Sequence, residues 1–232
     1  ARWAARHIVR DILPAATDPS AARSLGKLVV FYLPLALPPM LVLLAQPLGT
    51  AGMTRMPEAI ASMAAWAPLN GLVFLTRSSG MAFNEVVIAH HHEAQWPAAL
   101  RRFGHGMGAL WSCALACISV PALGLLWFGT VQGLDPALCE LGSSALWLAI
   151  PIPWLTFVQS LYQGQLVAAG RTGAVTIAVG LYLGLTGLMI AAGVLHGGFS
   201  GLVVVVTATT AGNGLQALWL WHRARLLGTQ AG

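Results

Sequence analysis

The chain has 232 residues, of which 57% are apolar and only 8% charged, and its formal net charge is +5. So few charges cannot cover the surface of a water-soluble chain of this length, and the composition is typical of an integral membrane protein. The basic residues lie in small clusters, which favours a role in membrane orientation over nucleic-acid binding.

Six apolar stretches predict an all-α protein with six transmembrane helices. Each stretch is close to the roughly 20 residues that cross a hydrocarbon core of about 30 Å. The predicted spans are 28–49, 58–90, 105–128, 145–168, 173–195 and 200–222. Segments rich in Gly, Ser and Pro separate them, and the segment 129–144 is predicted to be the loop between the third and fourth spans.

The distribution of basic residues predicts the orientation of these spans. Ten of the twelve fall on one side of the predicted topology: Arg2, Arg6, Arg10, Arg23, Lys27, Arg101, Arg102, Arg171, Arg223 and Arg225. Because loops rich in Lys and Arg stay in the cytoplasm, both termini are predicted to be cytoplasmic. We expect the protein to lie in a bacterial inner membrane.

Prolines occur in four of the predicted spans, and each is predicted to interrupt its helix. They are Pro34, Pro38, Pro39, Pro68, Pro121, Pro151 and Pro153. Proline removes a backbone hydrogen bond, which neighbouring helices or water in a cavity must replace inside a membrane. Broken spans are typical of alternating-access carriers, although single prolines are also simply tolerated in membrane helices.

The second span contains a row of polar residues. Asn70, Arg77, Asn84 and His91 recur every seven residues, and a helix face drifts only about 20° over that spacing. These side chains therefore share one face. Glu85 lies too far from Arg77 along and around a straight helix for a direct ion pair, so either the two charges have other partners or the helix breaks between them.

Two other spans contain similar polar faces, and together the three could enclose an aqueous or substrate-lined cavity. The fourth span contributes Thr156, Gln159 and Gln163, and the sixth contributes Thr209, Asn213 and Gln216. One alternative is that these amides only hold the helices together. For Arg77 the alternative is that the side chain extends to the cytoplasmic interface.

Enzymatic and metal-binding interpretations find little support in the sequence. The segment "GFSG", residues 198–201, matches the motif of intramembrane serine proteases, but His222 belongs to the opposite membrane face from Ser200. The segment "HHHE", residues 90–93, offers too few ligands on one helix face for a zinc site. Neither a disulfide among the three cysteines nor a cofactor is expected, and without a phosphate-binding motif ATP is not the predicted energy source.

Five segments, taken in order, resemble one six-helix repeat of the MOP superfamily, which includes the MATE transporters and lipid-linked flippases. They are "FYLPLALPPMLVLLAQPL", "SMAAWAPLNGLVFLTRSSGMAFNEVVIA", "AALRRFG", "IPWLTFVQSLYQGQLVAAGRTG" and "GGFSGLVVVVTATTAGNGLQALWLWHRAR". The second segment is most similar to the progressive ankylosis type of protein, which the family associates with export of small anions such as pyrophosphate, ATP or citrate.

The resemblance implies a protein built of two such repeats. Residues 1–26 are then the tail of a preceding helix and a cytoplasmic linker, 27–226 the six-helix repeat, and 227–232 a cytoplasmic tail. The expected partners are the lipid bilayer, a small solute and a second six-helix half, either an N-terminal repeat or a homodimer partner.

The predicted function is export of a small anionic solute by half of a secondary transporter. The residues predicted to bind the solute are Asn70, Arg77, Asn84, Gln159, Gln163 and Asn213. Glu85 is predicted to couple transport to H⁺ or Na⁺. The alternative is a lipid or lipid-linked flippase, or a structural membrane half without transport of its own.

Overall fold

In the described part of the chain, long apolar stretches form helices, and several of these helices begin at a proline or end beside a glycine. The computed structural model describes residues 40–41, 43–90 and 96–228, and in that part of the chain it contains helices and no strand. The described part contains eight α-helices: α1 (Ala45–Met53), α2 (Ala59–His90), α3 (Trp96–Ile118), α4 (Pro121–Leu125), α5 (Pro136–Ala149), α6 (Pro151–Ala168), α7 (Thr172–His196) and α8 (Gly201–Gly228). A π-helical turn, Leu126–Val131, continues α4.

Four helical segments are long and apolar enough to cross a membrane, which is compatible with an integral membrane protein. They are α2, α5 together with α6, α7 and α8. A fifth span results if α3 and the segment Pro121–Val131 are counted together, although these two meet at 79°. Most of the predicted first span lies outside the described residues, as do residues 1–26, so the count of six and the cytoplasmic termini stay predictions.

The predicted second and fifth spans agree closely with α2 and α7, and two turns also lie where predicted. Gly170 and Gly197 have φ angles of +72° and +65° and end α6 and α7. Glycine adopts this left-handed conformation without the steric cost that a Cβ imposes. The sixth span is longer than predicted, because α8 continues to Gly228.

The prediction of a loop at 129–144 is wrong. The π-helical turn continues to Val131, and α5 begins at Pro136, so only a short connection remains. Proline at the first position of a helix needs no hydrogen-bond donor, and here it starts a helix. Gly142 lies within α5 as a packing residue, since a Cβ there would be 2.9 Å from the Phe128 ring.

The prolines fall into two groups. Pro121 and Pro151 each begin a new helix, as the predicted interruptions require. The predicted interruption at Pro153 is wrong, because Pro153 lies in the first turn of α6, where a proline is tolerated. The predicted break at Pro68 is wrong, because α2 is continuous for 32 residues with Pro68 inside it, and α2 also passes through Arg77 to Gly80 without a break. The indole N–H of Trp127 donates a hydrogen bond to the Pro68 carbonyl at 3.4 Å. Pro34, Pro38 and Pro39 lie outside the described residues.

Close helix contacts arrange α2, α6, α7 and α8 around a polar interior. α2 packs on α6, α6 on α8, and α8 on α7, whereas α2 and α7 are not packed along their length. A Cβ on Gly164 of α6 would lie 2.7 Å from the Val87 side chain of α2, so glycine is needed for this approach. The polar faces of these helices therefore meet inside the bundle.

Candidate functional site

Two neighbouring chambers lie between the helices, and both are bordered by Arg77, Tyr182 and Asn213. The small chamber has a volume of about 60 Å³ and a mixed polar and apolar lining, with Trp66 and Asn70 in its wall. The large chamber has a volume of about 390 Å³. Its polar lining comes from four helices: Arg77 and Asn84 of α2; Thr156, Gln159, Ser160 and Gln163 of α6; Tyr182 of α7; and Asn213 and Gln216 of α8.

One side-chain pair joins two walls of the large chamber. The amide of Gln159 donates through Nε2 to the backbone carbonyl of Asn213 at 2.9 Å and to its Oδ1 at 3.1 Å. The Nδ2 of Asn213 donates in turn to the Thr209 carbonyl at 2.8 Å. All three contacts lie in the interior, where a hydrogen bond that is lost is not replaced by water. This pair therefore fixes α6 against α8.

Arg77 differs from Gln159 and Asn213, because it forms no hydrogen bond or ion pair with a described side chain. Its Nε atom is buried and has no hydrogen-bond partner, and the same is true of Asn84 Oδ1. Of the described residues that line the two chambers, Arg77 alone is charged. Arg77 is partly buried, and among the described residues that line the chambers no carboxylate offsets its charge, which is unfavourable. The chamber is thus electrostatically suited to an anion.

Tyr182 is held beside Arg77 by the contact between α7 and α8. A Cβ on Gly212 of α8 would lie 2.8 Å from Cδ2 of the Tyr182 ring and 3.0 Å from its carbonyl oxygen, and it would also meet Thr186 Oγ1. Gly212 therefore allows the two helices to approach at this level. The hydroxyl of Thr186 donates to the Ala208 carbonyl at 3.4 Å in the same contact.

The structure brings together the six residues that the sequence predicts to bind solute. Asn70 lines the small chamber; Asn84, Gln159, Gln163 and Asn213 line the large chamber; Arg77 borders both. Glu85 is exposed and lines neither chamber, so its coupling role stays a prediction without a contact to Arg77. His91, the fourth member of the row on α2, lies outside the described residues.

Sequence reasoning missed two polar residues of the large chamber, Tyr182 and Ser160, and two apolar ones, Met81 and Val179. No polar face is predicted for the fifth span, although Tyr182 and Thr186 are four residues apart and therefore share a face of α7. That spacing was a usable signal. Ser160 lies four residues after Thr156 and three before Gln163, so the same spacing places it on the polar face of α6.

Metal ligands and cysteines contribute nothing to the chambers in the described part of the chain. Within 43–90 and 96–228 no group of three His, Cys, Asp or Glu side chains is close enough to hold a metal ion, and residues 91–93 of "HHHE" are outside these ranges. Cys113, Cys117 and Cys139 are free thiols. Ser200 directly precedes α8 and His222 lies in its last turns, so these two side chains are at opposite ends of that helix.

Replacing Gln159 by Leu is expected to lower the stability of the fold by about 1–3 kcal/mol, because Asn213 Oδ1 would lose its buried donor. Reversible unfolding in mixed micelles measures this change. Gln163→Leu is the matched control: Gln163 lies one turn further along α6 and makes no hydrogen bond with another described residue, so its effect should stay within about 0.5 kcal/mol. Equal losses in the two variants would contradict the role of the Gln159–Asn213 pair.

No protein-family model matches the chain, and neither a curated protein nor a solved structure does. The resemblance to the MOP superfamily therefore depends on the order of the sequence segments alone.

Proposed function

We propose that the chain is half of a secondary transporter that exports a small anionic solute by alternating access across a bacterial inner membrane. The proposal includes one MATE-like repeat of six transmembrane helices with both termini in the cytoplasm, and a second six-helix half as its partner. The observation that carries it is Arg77, an unpaired cation in the wall of a polar chamber between four helices.

Three features of the large chamber support anion binding. Arg77 is the one charge among its described lining residues, so the field inside is positive. Gln163 and Gln216 line the chamber and make no hydrogen bond with another described residue, which leaves their amides available to a solute. A volume of about 390 Å³ is within the usual range of small-molecule pockets.

Arg77→Gln is expected to weaken anion binding by at least about 30-fold, because removing a buried charge from an ion pair costs roughly 2 kcal/mol or more. The measurement uses the full chain in nanodiscs, with calorimetric titration of inorganic phosphate, gluconate and citrate. Efflux of the same radiolabelled anions from liposomes tests transport. Arg77→Lys should retain part of the affinity, since it keeps the charge and loses only the planar fork of donors.

Arg55→Gln is the control for this experiment, because Arg55 is an exposed arginine in the turn between α1 and α2 and lines neither chamber. Its affinities should match those of the unmodified chain. If Arg77→Gln binds and releases every anion as the unmodified chain does, the proposed function is wrong.

A lipid flippase is the second candidate, and one observation favours it. Met81 lines the large chamber and is 49% exposed, so the chamber reaches the outer surface of α2, where a lipid headgroup could enter from the side. The anionic group recognised by Arg77 would then be a lipid phosphate. Scrambling of a fluorescent phosphatidylglycerol in liposomes that depends on Arg77, without binding of any soluble anion, would select this candidate.

A further inference from the structure

We infer that the large chamber is selective for a monovalent anion that carries several hydroxyl groups, such as a sugar acid. The inference rests on the proposed function and narrows its class of solute. It follows from two properties of the chamber: the number of charges in its wall and the kind of uncharged groups beside them.

The charge of the wall sets the charge of the solute. Arg77 supplies one positive charge, and the other described residues that line either chamber are neutral. A solute with a single carboxylate leaves a neutral pair, with the guanidinium donating to both carboxylate oxygens. A second or third negative charge in the same chamber would lie without a counter-charge and close to the first, which is unfavourable. Multivalent anions are therefore selected against.

The uncharged part of the wall sets the other groups of the solute. Ser160, Gln163 and Gln216 line the chamber and make no side-chain hydrogen bond with another described residue. Amides and a hydroxyl both donate and accept, and so they match hydroxyl groups, which also do both. An apolar monocarboxylate would leave these groups unsatisfied, whereas a hydroxylated one would pair with them.

Three test ligands with the same six-carbon chain isolate the effect of charge. Sorbitol is neutral, gluconate carries one carboxylate and glucarate carries two. With the full chain in nanodiscs, calorimetric titration is expected to show gluconate binding at least tenfold more tightly than either of the others. In Arg77→Gln the advantage of gluconate over sorbitol should disappear.

A second cation in the large chamber should weaken its preference for gluconate over glucarate. Gln163→Lys adds a charge to the large chamber and is expected to shift the ratio of glucarate to gluconate affinity by about tenfold towards glucarate. Gln165→Lys is the matched control, since Gln165 lies on the same helix, lines neither chamber and should leave the ratio unchanged. Thermal melting in detergent verifies that both variants fold. The order of the gluconate, glucarate and sorbitol affinities in the unmodified chain is measured independently of these variants.

The outcomes separate this inference from the proposed function. Tighter binding of glucarate than of gluconate by the unmodified chain overturns the inference, and so does the lack of measurable gluconate binding at millimolar concentration. If phosphate or citrate still binds in an Arg77-dependent manner in those cases, the proposed anion carrier stands. If no anion depends on Arg77, both are wrong.

Discussion

Replacing Arg77 by Met is expected to stabilise the fold by about 1–4 kcal/mol while it removes anion binding. The Nε atom of Arg77 is buried without a partner, and no described carboxylate neutralises the guanidinium. Exchange of a buried ion pair for apolar side chains of similar volume is often neutral or stabilising by this amount, and Arg77 has no described carboxylate in the chambers to offset the cost of its charge. Met is unbranched and flexible, so it can fill the same space beside Tyr182. The apparent melting temperature in detergent, measured without added anion, should rise.

This experiment distinguishes a binding residue from a structural one. If Arg77 served to hold the helices together, its replacement would lower the melting temperature, and that result would contradict the expectation. Arg55→Met is the control, because the exposed Arg55 should change stability by no more than about 0.5 kcal/mol. Adding a ligand provides a second readout: gluconate should raise the melting temperature of the unmodified chain and leave that of Arg77→Met unchanged.

The second large effect is expected at Gly212, where alanine should destabilise the contact between α7 and α8 by about 1–3 kcal/mol. The added methyl group would lie 3.0 Å from the Tyr182 carbonyl oxygen, which is part of the backbone and cannot move aside alone. Either the two helices separate or the Tyr182 ring moves into the chambers that it borders. Loss of anion affinity should accompany the loss of stability.

Gly214→Ala is the matched control, two residues further along α8, where a Cβ would meet nothing within 4 Å. Because alanine favours helix more than glycine does, this variant should be unchanged or more stable by up to about 1 kcal/mol. Reversible unfolding in mixed micelles and gluconate titration measure both variants. Similar behaviour of Gly212→Ala and Gly214→Ala would show that the approach of α7 to α8 does not depend on Gly212.

The long helices were predictable because membrane spans require a long apolar run, which is visible in one sequence. Smaller features were not, because they depend on contacts between distant segments. Pro68 and Pro121 look alike in the sequence, yet α2 continues past Pro68 and a new helix begins at Pro121. Gly142 resembles a turn residue until Phe128 is found against it.

Part of the candidate site was predictable because residue spacing along one helix is also visible in the sequence. Spacings of three, four and seven residues identified the polar faces of α2, α6 and α8 without any contact information. Contacts between residues of different helices could not be predicted from these spacings. The hydrogen bonds of Gln159 to Asn213 cross 54 residues of sequence, and Tyr182 enters the site through the packing of α7 on Gly212.

The length of α2 has a consequence for how a bound anion would respond to the membrane. Its 32 residues extend for about 48 Å, well beyond a hydrocarbon core of about 30 Å, and an average tilt of about 20° shortens this only slightly. Part of the helix must therefore project into the headgroups at one or both ends. The thickness of the bilayer sets the length of that excess, and the depth of α2 in the bilayer sets the fraction of the transmembrane voltage that lies between Arg77 and either aqueous phase.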